Sequence, residues 1–291
     1  MIKYIISDVD GTLLGNDKQL PQRNFNAIQK AQKSGIQFGI ATGRDTKGMM
    51  FVSEKYGIRL DLGVVGNGAQ AVDKNGQFLA ECYLQTDAFL KATTILTQQN
   101  LPYMVYTKEG VFAVNPEWVR DCFIERSRIK HGATTSDYQP GGRLSHLACM
   151  RLQPIDDLST FADRHDMIKV ESFAVDVSHI IKTKSQISQI PNISCLSSFP
   201  DNIEITDNMA QKGLVLERIL PLLNATKEEV VVIGDALNDT TLFECFPYAF
   251  APSNAIEEIK KKAFKVVSSN DDGAVADAIE WALQYNQNEI K

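Results

Sequence analysis

At 291 residues, with 44% of them hydrophobic and 23% charged, the sequence has a globular composition and exceeds what a single core usually holds. Disordered and fibrous classes are excluded, and two domains, or one domain with an insertion, are expected. A formal net charge of −6 disfavours nucleic acid as a partner; Lys260-Lys261-Lys262 sits at helical spacing among apolar residues and reads as a solvated helix face.

Five cysteines, Cys82, Cys122, Cys149, Cys195 and Cys245, are scattered and never form CxxC, so neither a disulfide framework nor a zinc site is indicated. The first residues run straight into a strand pattern without a basic-then-apolar leader. No window approaches the roughly 18 apolar residues of a membrane span. The expectation is a cytoplasmic protein with no membrane partner, a monomer or homodimer.

In chain order, Tyr4–Asp8, Pro21–Ser34, Ile36–Ala41, Thr46–Lys55 and Leu62–Val65 read as βαβαβ. Pro21 at a first helical position, Phe25, Ile28 and Ala31 on one face, and Gly35 just past the end delimit the first helix. Strands apolar on both faces between such helices imply a parallel sheet covered on two sides. Within Ala71–Leu84, Lys74-Asn75-Gly76 predicts a hairpin turn.

From Gln85 to Pro191 the texture changes. Helix-like Thr86–Gln99, strand-like Pro102–Tyr106 and Val111–Val114, and helix-like Pro116–Lys130 lead into a Gly- and Ser-rich stretch and mixed signals. This predicts an inserted α+β domain over 85–191 between the two parts of an α/β domain, 1–84 and 192–291. The second part takes up the alternation again with Ile203–Thr206, Gln211–Leu222, Val230–Gly234, Asp239–Cys245, Tyr248–Ala251, Ala255–Lys262, Lys265–Val267 and Gly273–Tyr285.

Ligands of open α/β sheets bind at the carboxyl ends of strands, and four polar clusters fall there. Asp8-Val9-Asp10-Gly11-Thr12 places two carboxylates around a sharp turn, which suits a nucleophile beside a general acid and base, or simply a capped turn. Ala41-Thr42-Gly43-Arg44 offers a hydroxyl and backbone N–H groups at a helix start, an anion site or an ordinary helix start. Lys212 opens a helix, where the helix dipole disfavours a cation unless an anion is near. Gly234-Asp235-Ala236-Leu237-Asn238-Asp239 adds acidic groups whose mutual repulsion a hard divalent cation with oxygen ligands would remove.

In this order, DxDGT, Thr-Gly-Arg, a lone Lys and GDxxND resemble the haloacid dehalogenase superfamily. More closely the chain resembles its Cof-type branch, through Asn67-Gly68-Ala69, Asn254-Ala255 and Ser269-Asn270-Asp271-Asp272-Gly273. The resemblance implies a Rossmann-like core whose parallel sheet is covered by helices on both faces, with an α/β cap inserted. It implies a phosphatase acting on a small phosphorylated metabolite, such as a sugar phosphate, a nucleotide or a phosphorylated cofactor. Asp8 would attack phosphorus and become an aspartyl phosphate; Asp10 would protonate the leaving alcohol and then activate water. Thr42 and Lys212 would hold the phosphoryl oxygens, and Mg²⁺ would be bound by the Asp8 carboxylate, the Asp10 carbonyl and Asp235, with Asp239 and Asn238 as an additional ligand or as partners of the ligands. A phosphomutase and a non-catalytic phospho-ligand sensor are the alternatives.

Other residues carry weaker signals. Arg44 and Asn67, beside Gly43, follow core strands and are expected to line the substrate mouth. His131, His146, His165 and His179 show no ligand spacing. Arg143 beside Gly141-Gly142 can reach an anion from a loop of the insert. Phe123, Trp118 and Tyr138 read as core of the insert.

Overall fold

The computed structural model describes residues 1–139, 142, 144, 147–197 and 199–289. Its strands, in chain order, are β1 Tyr4–Ser7, β2 Gln37–Ala41, β3 Leu62–Val65, β4 Gln70–Asp73, β5 Phe78–Glu81, β6 Tyr103–Thr107, β7 Val111–Ala113, β8 Leu152–Pro154, β9 Met167–Phe173, β10 Ile193–Leu196, β11 Asn202–Asp207, β12 Val230–Ile233, β13 Tyr248–Pro252 and β14 Lys265–Val267. They form two sheets among the described residues, in the orders β14-β13-β12-β1-β2-β3-β4-β5 and β10-β11-β9-β6-β7-β8. The chain divides accordingly into two compact units, Met1–Glu81 with Ala210–Lys291, and Cys82–Met209.

In the first unit β14 to β3 run parallel, and β4 and β5 return antiparallel as the expected hairpin. Gly76 alone of the Asn-Gly pair takes positive φ, +78°; the turn is held by Asp73, whose carboxylate accepts from the Asn75 and Gln77 N–H groups. The central strands β1, β3 and β12 are buried along their whole length because each side is covered, whereas the edge strand β14 is exposed at Lys265 and Val266. Ile5, Val231 and Ile233 face a core shared with the helices Gln22–Lys33 and Ala274–Glu289, whereas Tyr4, Ile6, Val230 and Val232 face one built with Val215, Leu216, Leu242 and Ile259. Full burial of each such aliphatic side chain contributes about 1.5–3 kcal/mol.

The first helix begins one residue later than expected, with Pro21 as its N-cap; Ala27, Ile28 and Ala31 are buried with Asn24, while Phe25 is only partly covered. Crossovers leave β1 and β12 toward opposite faces, so a topological switch point lies between these neighbours, where the loops diverge and leave a crevice.

The second unit is an antiparallel sheet apart from the parallel pair β7 and β8. The helices Thr86–Gln98 and Val177–Ile187 bury Phe89, Leu96, Ile180 and Ile187 with Val105, Val170, Ile203 and Ile205 of the strands. One expectation is corrected here. The strand Ile203–Thr206 does not resume the parallel sheet: as β11 it lies between β10 and β9, so the second unit extends to Met209 and not to residue 191. Alternation of Ile203, Glu204, Ile205 and Thr206 specifies a strand with two distinct faces, but not the sheet it joins.

Candidate active site

The loops after β1, β2, β3, β12, β13 and β14 all leave the same edge of the parallel sheet. Asp8 follows β1 directly, and its N–H donates to the Ile233 carbonyl of the adjacent β12 (2.8 Å). Asp235 follows β12. Gly11, at φ +91°, lets the two loops close up, because a Cβ there would stand 2.6 Å from Asp235 Oδ2. Thr12, fully buried, donates its hydroxyl to Asp235 Oδ1 at 2.6 Å.

Lys212 joins these loops to a third. Its side chain is wholly buried, and Nζ donates to Asp8 Oδ1 and Asp239 Oδ1, each at 2.6 Å. The anion that its position at a helix start demanded is thus a pair of carboxylates. Burial disfavours the ammonium, but Asp239 and Asp8 overcome this and hold Lys212 charged. Asp239 is anchored on its other oxygen, where Oδ2 accepts from the N–H groups of Asp235 (3.0 Å) and Ala236 (3.1 Å). Gly234 makes room for it: a Cβ there would meet the Asp239 carboxylate carbon at 2.5 Å.

Oxygen atoms of Asp8, Asp235 and Asp239 lie within 4.8 Å of one another. Three carboxylates against one ammonium leave a surplus of negative charge. Burial raises the Asp8 carboxyl well above its usual range, opposed by Lys212 and assisted by Asp239 and Asp235. Burial and then the charge of Asp239 push Asp235 up to about 7, against the Thr12 hydrogen bond. A cluster of hard oxygen donors in which Asp8 and Asp235 resist ionising fits a divalent cation, which would lower the energy of their ionised forms.

Asp10 stands apart from this cluster by its side chain. Its carboxylate takes a two-pronged contact from Arg44, Nε to Oδ2 at 2.8 Å and a terminal nitrogen to Oδ1 at 2.9 Å, and Lys18 Nζ approaches Oδ1 at 3.2 Å. Burial would raise its pKa, but Arg44 and then Lys18 outweigh that and hold it far below the carboxylate range. Of the four expected metal residues, then, the side chains of Asp8, Asp235 and Asp239 converge, and that of Asp10 is paired with Arg44.

Thr42 is buried; its N–H is spent on the Val64 carbonyl, and its hydroxyl oxygen accepts from the Arg44 N–H at 3.2 Å. The helix Thr46–Tyr56 that follows Gly43 does not present all its N–H groups to a ligand, because Asp45 caps it by accepting from Gly48 N–H at 2.8 Å. Asn67 is buried in the left-handed region, φ +58°, and its side-chain oxygen accepts from the Asn238 amide at 3.1 Å. Gly68, at φ +101°, lets this loop press on the Gln211 backbone just before Lys212.

Some contributors had no assigned role in the sequence reading. Thr12 stands inside the DxDGT string, so its position was visible although its service to Asp235 was not. Lys18 gave no signal, being one lysine in a polar loop. In the second unit, His165 packs on Phe161 (4.4 Å between ring centres) and contacts Glu109, and His179 lies in the first turn of a helix capped by Asp176. Phe123 packs edge-on against Phe173 and Tyr138 is buried, but Trp118 is 37% exposed and is not core. Gly141, Arg143, His146 and the side chain of His131 lie outside the described residues.

Two curated proteins of Bacillus subtilis align with almost the full chain. Phosphatase YwpJ is 25% identical over 97% of this chain and 100% of its own, and 5-amino-6-(5-phospho-D-ribitylamino)uracil phosphatase YwtE is 26% identical over 97% and 98%. A solved haloacid dehalogenase-like hydrolase from B. subtilis superposes with a TM-score of 0.82 at 25% identity, covering 96% of this chain and 99% of that one. The family model for haloacid dehalogenase-like hydrolases matches residues 5–279, a span that takes in every loop from Asp8 to Asp239 around Lys212, and the chain belongs to that family.

Proposed function

We propose that this protein is a Mg²⁺-dependent phosphatase that hydrolyses a small phosphorylated metabolite through an aspartyl phosphate on Asp8. The observation that carries this reading is the convergence of Asp8, Asp235 and Asp239 on the buried Lys212, with Asp10 two residues from Asp8 on the same turn. The two B. subtilis relatives are both named phosphatases, which supports the reading. Asp8, Asp235 and the Asp10 carbonyl would hold the metal, with Asp239 fixing the Asp235 loop. When bound, the cation supplies charge neutralisation for the phosphoryl oxygens and the acidic cluster.

The residues divide the work as follows. An Asp8 carboxylate oxygen forms a bond to phosphorus as the bond from phosphorus to the ester oxygen breaks, and the departing alkoxide takes its proton from Asp10. In the second half, water gives a proton to Asp10 and attacks the aspartyl phosphate, which restores the Asp8 carboxylate and releases inorganic phosphate. Lys212 and Thr42, with N–H groups of the Gly43 loop, hold the phosphoryl oxygens, whose charge is most concentrated in the transition state.

Arg44 gives the scheme a condition. While its guanidinium grips Asp10, that carboxyl is an ionised base and has no proton to give. Arg44 must transfer its contact to another anion before Asp10 can act as an acid, and the substrate's phosphoryl group is the anion that arrives at that step. Arg44, Asn67 and Asn238 thus line the phosphate side of the site. A sugar or polyol phosphate is the favoured class, in keeping with the phosphoribityl compound in the name of one relative.

The test is phosphate release from an aryl phosphate and from a panel of phosphorylated metabolites compared by kcat/KM, with and without Mg²⁺. Asp8→Asn is expected to lower turnover by at least roughly a thousandfold, since it removes the nucleophile. Undiminished hydrolysis by that variant rules out Asp8 as the attacking group.

A further inference from the structure

Three carbonyls of the turn after Asp10 are held by side-chain amides. Asn254 Nδ2 donates to the Gly11 carbonyl at 2.9 Å, Asn24 Nδ2 to that of Leu13 at 3.0 Å, and Asn270 Nδ2 to that of Leu14 at 3.0 Å. Two of these asparagines are linked, because Asn254 Oδ1 accepts the backbone N–H of Asn270 at 2.9 Å. The carbonyls they hold are not arbitrary: Gly11 follows Asp10 directly, and Leu14 forms an isolated β-bridge with Asp10. The same segment reaches the other acidic loop, since Ile256 N–H donates to the Asp235 carbonyl at 3.1 Å. Asn270 is 1% exposed, so its N–H has Asn254 in place of water as partner.

We infer that Asn254, acting with Asn270, is a positioning residue that fixes the Gly11 peptide and thereby aims the Asp10 carboxyl at the leaving oxygen of the substrate. Asn254 touches neither substrate nor metal; it acts through the turn. Gly11, in the left-handed region, has no Cβ to restrict its backbone, so a hydrogen bond that holds its carbonyl restrains the turn on which Asp10 sits. A displacement of about 1 Å at a proton donor can cost on the order of a hundredfold.

The inference rests on Asp10 being the proton donor, and leaving-group dependence separates the two claims. A nitrophenolate leaves without a proton, whereas a sugar alkoxide needs one. In Asp10→Asn, kcat/KM should therefore fall much further for a sugar phosphate than for p-nitrophenyl phosphate. Asn254→Ala should show the same bias in milder form, about tenfold beyond its loss on the aryl ester. Asn254→Asp keeps the acceptor for Asn270 N–H and loses the donor to Gly11, so it should retain the fold and repeat the bias if Asn254→Ala folds poorly. Equal losses on both esters in the Asn254 variants, alongside a biased Asp10→Asn, overturn the inference. An unbiased Asp10→Asn overturns the reading of Asp10 itself.

Discussion

Two lysines of this protein are buried between pairs of carboxylates, and their surroundings differ. Lys212, in the α/β unit, bridges Asp8 and Asp239. Lys169, in the inserted unit, bridges Glu171 (3.1 Å) and Glu204 (3.0 Å) and lies over the Tyr106 ring. In both, burial works against the ammonium and the two acids prevail, so both stay charged. Around Lys169 neutral donors complete the acids: the Tyr106 hydroxyl donates to Glu171 at 2.8 Å and the Asn202 amide to Glu204 at 3.2 Å. Around Lys212 a third carboxylate, Asp235, joins the pair, and its pKa rises to about 7. A buried lysine alone therefore says little about function; a surplus of like charge aimed at one point is what fits a divalent cation.

The contrast can be broken by truncating each lysine. Either change strands two buried carboxylates, at a cost of about 3–5 kcal/mol. In Lys212→Met, saturating Mg²⁺ is expected to recover most of the lost stability, because the cation replaces the missing charge, while turnover stays down by roughly 10²–10³-fold for want of a phosphoryl contact. In Lys169→Met, Mg²⁺ should recover none of it. Native-state hydrogen exchange resolves the two units separately. An equal response of both variants to Mg²⁺ contradicts the distinction.

A smaller effect follows from pH. Asp235 holds its proton more tightly in the folded chain, at about 7, than at its ordinary value of 3.8. The folded state therefore binds more protons than the unfolded one, and without metal, stability should fall as pH rises from about 4 through about 7. Asp10, whose carboxyl is held far below 3.8, opposes the trend near pH 4, but above about pH 5 it is ionised in both states and drops out. Mg²⁺ should flatten the profile, since it favours the ionised cluster. Urea midpoints at several pH values, with chelator and with Mg²⁺, measure both arms. A chelated protein whose stability increases from pH 5 to 7 runs against it.

What the sequence disclosed divides along the same line. Asp8, Asp235 and Asp239 were legible because each follows a strand apolar on both faces, where a polar residue has no packing role, and Lys212 because a cation at a helix start contradicts the dipole. The Lys169 network was not legible: in Met167–Phe173, Lys169 and Glu171 alternate with apolar residues as solvent-facing residues do, and only the pairing of β9 with β11 brings Glu204 to them. The same ambiguity misplaced β11, since alternation names a strand without naming its neighbours. Asn254 was noticed within a resemblance, but its role depends on a contact with Gly11, 243 residues earlier in the chain.

The finest comparison deletes one hydroxyl from each lysine's surroundings. Tyr106→Phe removes a donor from Glu171, which keeps Lys169, so a loss of about 1 kcal/mol or less is expected, with Mg²⁺ affinity unchanged. Thr12→Val removes the 2.6 Å donor from Asp235 Oδ1. That bond lowers the Asp235 pKa, so its loss raises the pKa further and leaves the carboxylate free to turn. Stability should change by a similar ~1 kcal/mol, but the Mg²⁺ concentration for half-maximal activity should rise about 10–100-fold, because a partner that orients a ligand acts on affinity more than on folding. Isothermal titration with Mg²⁺ alone gives the same comparison without turnover. If Thr12→Val binds Mg²⁺ as tightly as the parent, Asp235 is not a ligand, and the surplus charge around Lys212 must serve the phosphoryl group in some other way.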